Sequence, residues 1–361
     1  MPYGTIQADK IQGSINSFSP DSAMFRNRII NGAMVIDQRN AGAAVTSNGA
    51  FPVDRFTVSN GTDGAFSAQQ DSSVPAGFTK STKITITTAD TSLAATQNLS
   101  FLQRIEGYNI ADLNWGSANA KTVTLSFWVR SSLTGTFGGA LRNNDTNRSY
   151  PYTYSISVAD TWEYKTVTIT GDTSGTWATD NNTGINLIFG LGAGVDRSGT
   201  AGAWNSNTNS SATGAVSVVG TNGATWYVTG VQLEVGSTAT SFDYRPYGTE
   251  LALCQRYYYS YILGNDKPFG TGFSYNTTRV FGSVLFPVTM RTAPTISTVS
   301  SSGYYGFYGN NTSYNFSAPF LYKSDTTNYL FEGTITGGTT GVGGLFLSQN
   351  AGASIAFSSE L

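Results

Sequence analysis

The sequence predicts an all-β chain, and three observations carry that expectation. Charged residues make up 12% of the 361 and aromatics 13%. A soluble domain ordinarily carries roughly 25% charge, and the missing Lys and Glu are helix formers. Short segments rich in Thr, Val, Tyr and Phe alternate polar and apolar side chains with period two, as strands with one buried face do. Clusters of Asn, Gly, Ser and Asp separate these segments and supply turns, with 41 Gly against 10 Pro.

Taken in order, residues 1–50 form a polar, Gly-rich lead, expected to be an extended arm that attaches the chain to another protein. Within it, Ile29-Ile30 and Met34-Val35-Ile36 flank Asn31-Gly32, a turn signal that suits a hairpin. The first ten residues lack the basic start and apolar run of a secretory signal. No stretch approaches the ~18 apolar residues of a membrane span, so synthesis in the cytoplasm and no membrane insertion are expected.

Residues 51–246 are expected to be an antiparallel sandwich or jelly roll of about eight strands. Ser81–Thr87, Thr122–Arg130, Tyr152–Val158, Tyr164–Ile169, Ile185–Leu191 and Thr225–Leu233 all alternate. Gly192–Gly220 is a long Gly/Ser/Asn/Ala loop with Trp204 at its centre. A boundary falls at Tyr244–Gly248. Thr249–Tyr257 then predicts a short linking helix with Thr249 as N-cap. Residues 247–361 predict a C-terminal β domain with strands at Val280–Val288, Tyr304–Gly309, Ala318–Tyr322, Gly344–Leu347 and Ala353–Phe357. No fixed repeat period runs through the chain, which disfavours a solenoid.

The composition also excludes chemistry. Net charge is −2 and the basic residues never run together, so no nucleic-acid footprint is present. There is no histidine, which removes the commonest general base and metal ligand. The single Cys254 excludes an internal disulfide. No cofactor or metal is expected. Asp160, Glu163, Asp172 and Asp180 are the acids that could cut a glycosidic bond, but Asp160 and Asp172 read better as turn residues that bond backbone amides. Asn143-Asn144-Asp145 and Asp180-Asn181-Asn182 match no spaced calcium motif. The expectation is a protein that is not an enzyme.

The aromatics carry the binding signal. Trp162, Trp177, Trp204 and Trp226, with Tyr150, Tyr152 and Tyr154, belong to the sandwich. Trp128 and Trp226 lie inside alternating strands and are expected in the core. Trp204, in a polar loop, is a candidate for a ligand site or a subunit interface, with core packing as the even alternative. Tyr257-Tyr258-Tyr259 and Tyr261 cannot all face one core, so some are expected to meet a partner subunit. Tyr304, Tyr305, Tyr308, Tyr314, Tyr322 and Tyr329 stand among Asn, Ser and Gly, the chemistry of adaptable binding loops. The candidate ligand-binding residues are Trp204, Tyr304, Tyr305, Tyr308 and Tyr314.

Three stretches carry a family resemblance. Arg28–Met34 to Gln38-Arg39, with Val53-Asp54-Arg55-Phe56, resembles the opening of many phage tail-fibre and minor structural proteins. Thr161–Lys165 with Ile169–Trp177 resembles their carbohydrate-binding-module-like jelly roll. Val231–Pro246, running on to Leu253–Tyr258, is the most specific, and Met290–Thr295 is similar to their C-terminal domains. The resemblance implies a bacteriophage virion appendage of tail-fibre type, a homotrimer joined to other virion proteins through residues 1–50, that binds a host-surface glycan or receptor. A capsid decoration or head fibre, a polysaccharide depolymerase and a cellular carbohydrate-binding module are the alternatives.

Overall fold

The computed structural model describes residues 25–361 apart from Thr146; the proposed attachment of residues 1–24 lies outside the described residues. The chain is all-β, as expected, with two sheets facing each other across one core. The first sheet holds β1 (Phe56–Asn60), β4 (Asn98–Glu106), β9 (Thr183–Ala193), β6 (Gly135–Arg142) and β7 (Ser149–Ile156), in the order β1-β4-β9-β6-β7. The second holds β2 (Ala65–Asp71), β3 (Ser81–Thr88), β12 (Thr225–Val235), β5 (Val123–Ser131) and β8 (Glu163–Ile169), in the order β2-β3-β12-β5-β8. Every pairing in both sheets is antiparallel, which makes the unit a curled sandwich of jelly-roll type.

Alternation decides which side chains enter the core. In β5, Val123, Leu125, Phe127 and Val129 are fully buried; in β9, Ile185, Leu187, Phe189 and Leu191 face them. Trp226 lies among Phe101 and Phe189, and its indole N–H donates to the Tyr154 hydroxyl at 3.1 Å. That bond removes the one polar atom that would make a buried Trp costly.

The long Gly192–Gly220 segment does not extend into solvent. Its short parallel pair β10 (Ser198–Gly199) and β11 (Ser211–Ala212) lies on the outer face of the first sheet. A Cβ on Gly138 would sit 2.4 Å from Ser211 Oγ, and one on Gly190 would sit 2.7 Å from Ser211 Cβ. These glycines let the chain cover that face with its own loop.

Residues 27–36 depart from the hairpin that Asn31-Gly32 suggested. Asn31-Gly32 forms a turn, closed by Met34 N–H to Asn31 O at 2.9 Å, but no hairpin strands flank it. The segment is instead packed against β12 and β4. Arg28 N–H donates to Leu233 O, Val231 N–H donates to Gly32 O, and Gln103 bonds both main-chain groups of Ile30. Ile29, Met34 and Ile36 are buried apolar anchors. An arm carrying that much apolar surface gains more by burial than by remaining free.

Beyond β12, a strap at residues 236–246 leads into α1 (Tyr247–Gln255), the one α-helix among the described residues. The helix starts two residues before the expected Thr249, with Pro246 at the N-cap and no side-chain cap bond. Pro246 fixes the turn into the helix through its restricted φ.

The C-terminal β region has a three-stranded sheet, β13 (Tyr258–Leu263), β22 (Ser354–Ser358) and β16 (Thr295–Val299), ordered β13-β22-β16. A seven-stranded sheet adds β14 (Pro268–Ser274), β15 (Arg279–Leu285), β17 (Tyr305–Gly309), β18 (Thr312–Phe316), β19 (Phe320–Ser324), β20 (Asn328–Thr334) and β21 (Gly343–Ser348). Its order is β18-β17-β21-β14-β15-β20-β19. Phe269, Phe331, Phe346 and Phe357 are in its core.

A buried polar seam joins the two β regions. Glu106 receives both Arg256 nitrogens, at 2.6 and 2.9 Å, and the Tyr257 hydroxyl. Glu360 pairs with Arg39, at 2.7 Å, and with Arg55. Arg55 and Arg39 stack over the rings of Tyr257 and Tyr258, at 3.5 and 3.7 Å. Consecutive tyrosines expected to meet a partner subunit are therefore used partly within the chain: Tyr257 is fully buried and Tyr259 and Tyr261 pack on Phe357.

Candidate functional site

The residues that sequence reasoning selected do not form one site. Trp204 packs edge-on against Trp115, Trp177 and Tyr150 at 5.3–5.4 Å, and its indole N–H donates to Thr170 O. It closes an aromatic cluster under its own loop. Tyr305 has 0% exposure, with its hydroxyl held between Val299 O and Ser354 O, so it cannot meet a ligand. Tyr314 is half-buried and stacks on Phe307, and Tyr304 packs against the same core. Only Tyr308 faces outward, paired across the hairpin with Ser313. Strand pairing separates them: Phe307 and Tyr314 share the inner face while Tyr308 shares the outer one.

The candidate acids are equally dispersed in role. Asp172 takes a bidentate pair from Arg148 at 2.7 Å. Asp160 pairs with Arg130 at 3.3 Å in a left-handed turn with φ 54°. Glu163 accepts the amides of Ser157 and Val158 and the Lys165 ammonium, and Asp180 accepts the Asn182 amide. Asn143 caps its own loop by accepting the Asn147 and Arg148 amides. Among the described residues no group of three or more His, Cys, Asp and Glu is placed to hold a metal.

A cleft on the outer face of the second sheet has the composition of a binding site. In β5 the core-facing apolar residues are Val123, Leu125, Phe127 and Val129, so Ser126, Trp128 and Arg130 point the other way, with Ser126 covered and Trp128 and Arg130 partly exposed. Trp128 was expected in the core. The parity of its own strand puts it outside, beside Tyr164 of β8, its register partner, with ring centroids 5.4 Å apart. That parity is the signal that identifies it.

The opposite wall comes from two segments distant in sequence. Phe78, in the β2–β3 connection, meets Phe242 at 5.2 Å and Tyr244 at 5.5 Å; Phe242 and Tyr244 stand 4.8 Å apart. The strap that carries Phe242 and Tyr244 is held by buried polar residues of β12. Glu234 accepts the Thr240 amide at 2.8 Å and its hydroxyl at 2.6 Å, Gln232 donates to Ser241 O, and Asp243 N–H donates to Gln232 Oε1. The Tyr244 hydroxyl donates to Gly77 O at 2.8 Å. Fixed rotamers lower the ordering cost of binding.

Gly230 makes the two walls fit. It lies in a β-bulge between Thr229 and Gln232, with φ +62°. A Cβ there would stand 2.6 Å from Phe78 Cζ and 3.2 Å from Trp128 Cδ1. The resulting cleft holds about 590 Å³ and is lined by Phe78, Ser126, Trp128, Tyr164, Thr240 and Phe242 among others. A second cleft of about 450 Å³ shares Phe78, Phe242 and Tyr244 and adds Lys80, Tyr247 and Glu250. Tyr164, Tyr244 and Tyr247 are exposed. The arrangement offers flat, fixed rings with hydroxyls at the rim and no reactive group.

No protein-family model matches the chain, and no curated protein matches it. Solved structures similar to it include the enzymatically active domain of tailspike protein 4 of bacteriophage CBA120, at 10% identity and a TM-score of 0.31, covering 59% of this chain and 22% of that one. A family 11 carbohydrate-binding module from Clostridium thermocellum, in complex with a β-1,3-1,4-mixed-linked tetrasaccharide, matches at 12% identity and a TM-score of 0.27, covering 56% and 100%. The N-terminal cellulose-binding domain of Cellulomonas fimi β-1,4-glucanase C matches at 14% and 0.24, covering 56% and 99%.

Proposed function

We propose that this chain is a non-catalytic, glycan-binding virion appendage protein of tail-fibre type, and that the cleft between Trp128–Tyr164 and Phe78–Phe242–Tyr244 is its sugar site. The single observation that carries the reading is that cleft: five aromatic side chains on the outside of a sandwich, held against one another by ring contacts and, for Tyr244, by a hydrogen bond to Gly77 O. The electron-rich face of an aromatic ring attracts the polarised C–H groups on one side of a sugar ring. The exposed Tyr164 hydroxyl at the rim then suits the sugar's own hydroxyls. The appendage role rests on the resemblance of Arg28–Arg39, Thr161–Trp177 and Val231–Tyr258 to phage structural proteins.

Self-association belongs to the same proposal. The outer face of the seven-stranded sheet exposes Phe273, Tyr275, Leu285, Phe320 and Tyr322, and β19 is its edge strand. Apolar surface of that kind on an open edge calls for cover, and a homotrimer supplies it.

Binding of the intact protein to an array of bacterial surface polysaccharides tests the sugar site. Trp128→Ala and Phe242→Ala are each expected to weaken the best ligand about tenfold, on the order of 1 kcal/mol per lost ring, with the far-ultraviolet circular dichroism unchanged. Binding that survives both substitutions would place the sugar elsewhere.

A further inference from the structure

Charge is scarce in this chain and its net sign is negative, yet cations bracket the aromatic cleft. Tyr227 of β12 is in register with Lys83 of β3 on one side and Arg130 of β5 on the other. The Lys83 ammonium lies 5.6 Å from the Tyr227 ring centroid and the Arg130 guanidinium 5.0 Å from it. Two residues further along, roughly 7 Å at strand rise, is the row Thr229–Trp128–Tyr164. Beyond that row, Lys80 lines the adjoining cleft beside Phe78, Phe242 and Tyr244. The rings thus lie between Lys83 and Arg130 at one end and Lys80 at the other.

The acids nearby are engaged: Asp243, between the two strap rings, accepts the Asn27 amide, and Asp71 accepts the Ser73 amide. Asp160 is paired with Arg130. Glu250 is paired with Arg245, whose side chain is almost wholly buried, and accepts the Asn31 amide. Glu234 is held under the strap by Thr240 and Gln232. Among the described residues, Lys80 and Lys83 have no ion pair. Two lysines without an ion pair, about 10 Å apart along the chain by strand rise, therefore flank the aromatic rows: Lys80 lines the adjoining cleft and Lys83 lies over Tyr227.

We infer that the glycan of this site is an acidic polysaccharide, a polymer whose sugar rings carry carboxylates. This rests on the sugar-site reading above. The aromatic rings take the apolar ring faces, and Lys80 and Lys83 take carboxylates on neighbouring residues. Arg130 is already paired with Asp160 and is not assigned a carboxylate.

The test titrates the intact protein with polygalacturonate, hyaluronate and alginate, and with each polymer after chemical reduction of its carboxyl groups. At least one acidic polymer is expected to bind tighter than its reduced form, with affinity falling as salt is raised. Lys80→Gln and Lys83→Gln should each cost about threefold for the acidic form and nothing for the reduced form. Phe242→Ala should weaken both forms. Equal binding of acidic and reduced polymers, or a preference untouched by the double lysine variant, overturns the inference and leaves the sugar site standing. Failure of every polymer, acidic and reduced, overturns both.

Discussion

Asp54 has no exposed surface, yet it receives the Gln38 amide and side chain and the Arg39 guanidinium. Burial raises its carboxyl to about 6, and Arg39 and Gln38 offset only part of that rise. A carboxyl with a folded pKa above its unfolded value of 3.8 binds more protons when folded in the interval between the two. Its contribution to stability is therefore present below about pH 4 and lost as pH rises towards 6 and beyond, by on the order of 3 kcal/mol. Asn at this position cannot titrate. The melting temperature of Asp54→Asn relative to the native chain should rise steadily from pH 4 to pH 6.5, as read by calorimetry. A constant difference would mean that Asp54 ionises normally. Little of this was legible in advance. Val53-Asp54-Arg55-Phe56 stood out only as part of a resemblance, and what surrounds Asp54 comes from residues up to about 300 positions away, Glu360 among them.

At the scale of elements, β12 does two jobs at once. Trp226, Val228, Val231 and Leu233 face the core, while Gln232 and Glu234 are also buried because the strap lies over them. The bulge at Gly230 turns the strand so that both hold. Ala in its place would meet a positive φ and the Phe78 ring together. Gly230→Ala should destabilise the chain by about 1–3 kcal/mol and weaken sugar binding even under conditions where the protein stays folded. Chemical denaturation and a binding titration on the same variant separate the two effects. Unchanged affinity in a folded variant would show that the two walls close without the bulge. Alternation revealed most strands of the sandwich. It did not reveal β1, β2, β4 or β6, where glycines and buried polar residues such as Gln103 and Glu106 break the period. Trp128, expected in the core, lies on the opposite parity of β5 from Leu125, Phe127 and Val129, so membership of an alternating strand does not by itself bury it.

The whole molecule is held together by its polar seam and left open at one sheet. Arg256, Arg55, Arg39 and Arg291 tie α1, the 27–55 segment and the last three residues into one junction with Glu106 and Glu360. The seven-stranded sheet, by contrast, ends on β19, whose Phe320, Leu321 and Tyr322 are all exposed and whose outer edge pairs with no strand among the described residues. The native chain is expected to give a trimer mass in light scattering at micromolar concentration, and Phe320→Glu with Tyr322→Glu to give a single-chain mass. A native monomer removes the trimer, and a trimer in the double variant moves the interface elsewhere.

What the sequence determined by itself was local in origin. Few charges, alternating β-branched and aromatic residues and frequent turn clusters permit strands and little else, because period and propensity act over a few residues. The helix after Pro246 and the lack of histidine chemistry were legible for the same reason. Tertiary structure decided which aromatic rings are site and which are core. Tyr305 is sealed inside and Trp204 packs on the aromatic cluster of its own loop, whereas Phe78, Trp128, Tyr164, Phe242 and Tyr244 meet on one face. Those five come from a loop, two strands and a strap separated by up to about 160 residues. Only sheet order, register and the bulge at Gly230 bring them within ring-contact distance, since exposure is a property of the packed layers and not of any one segment.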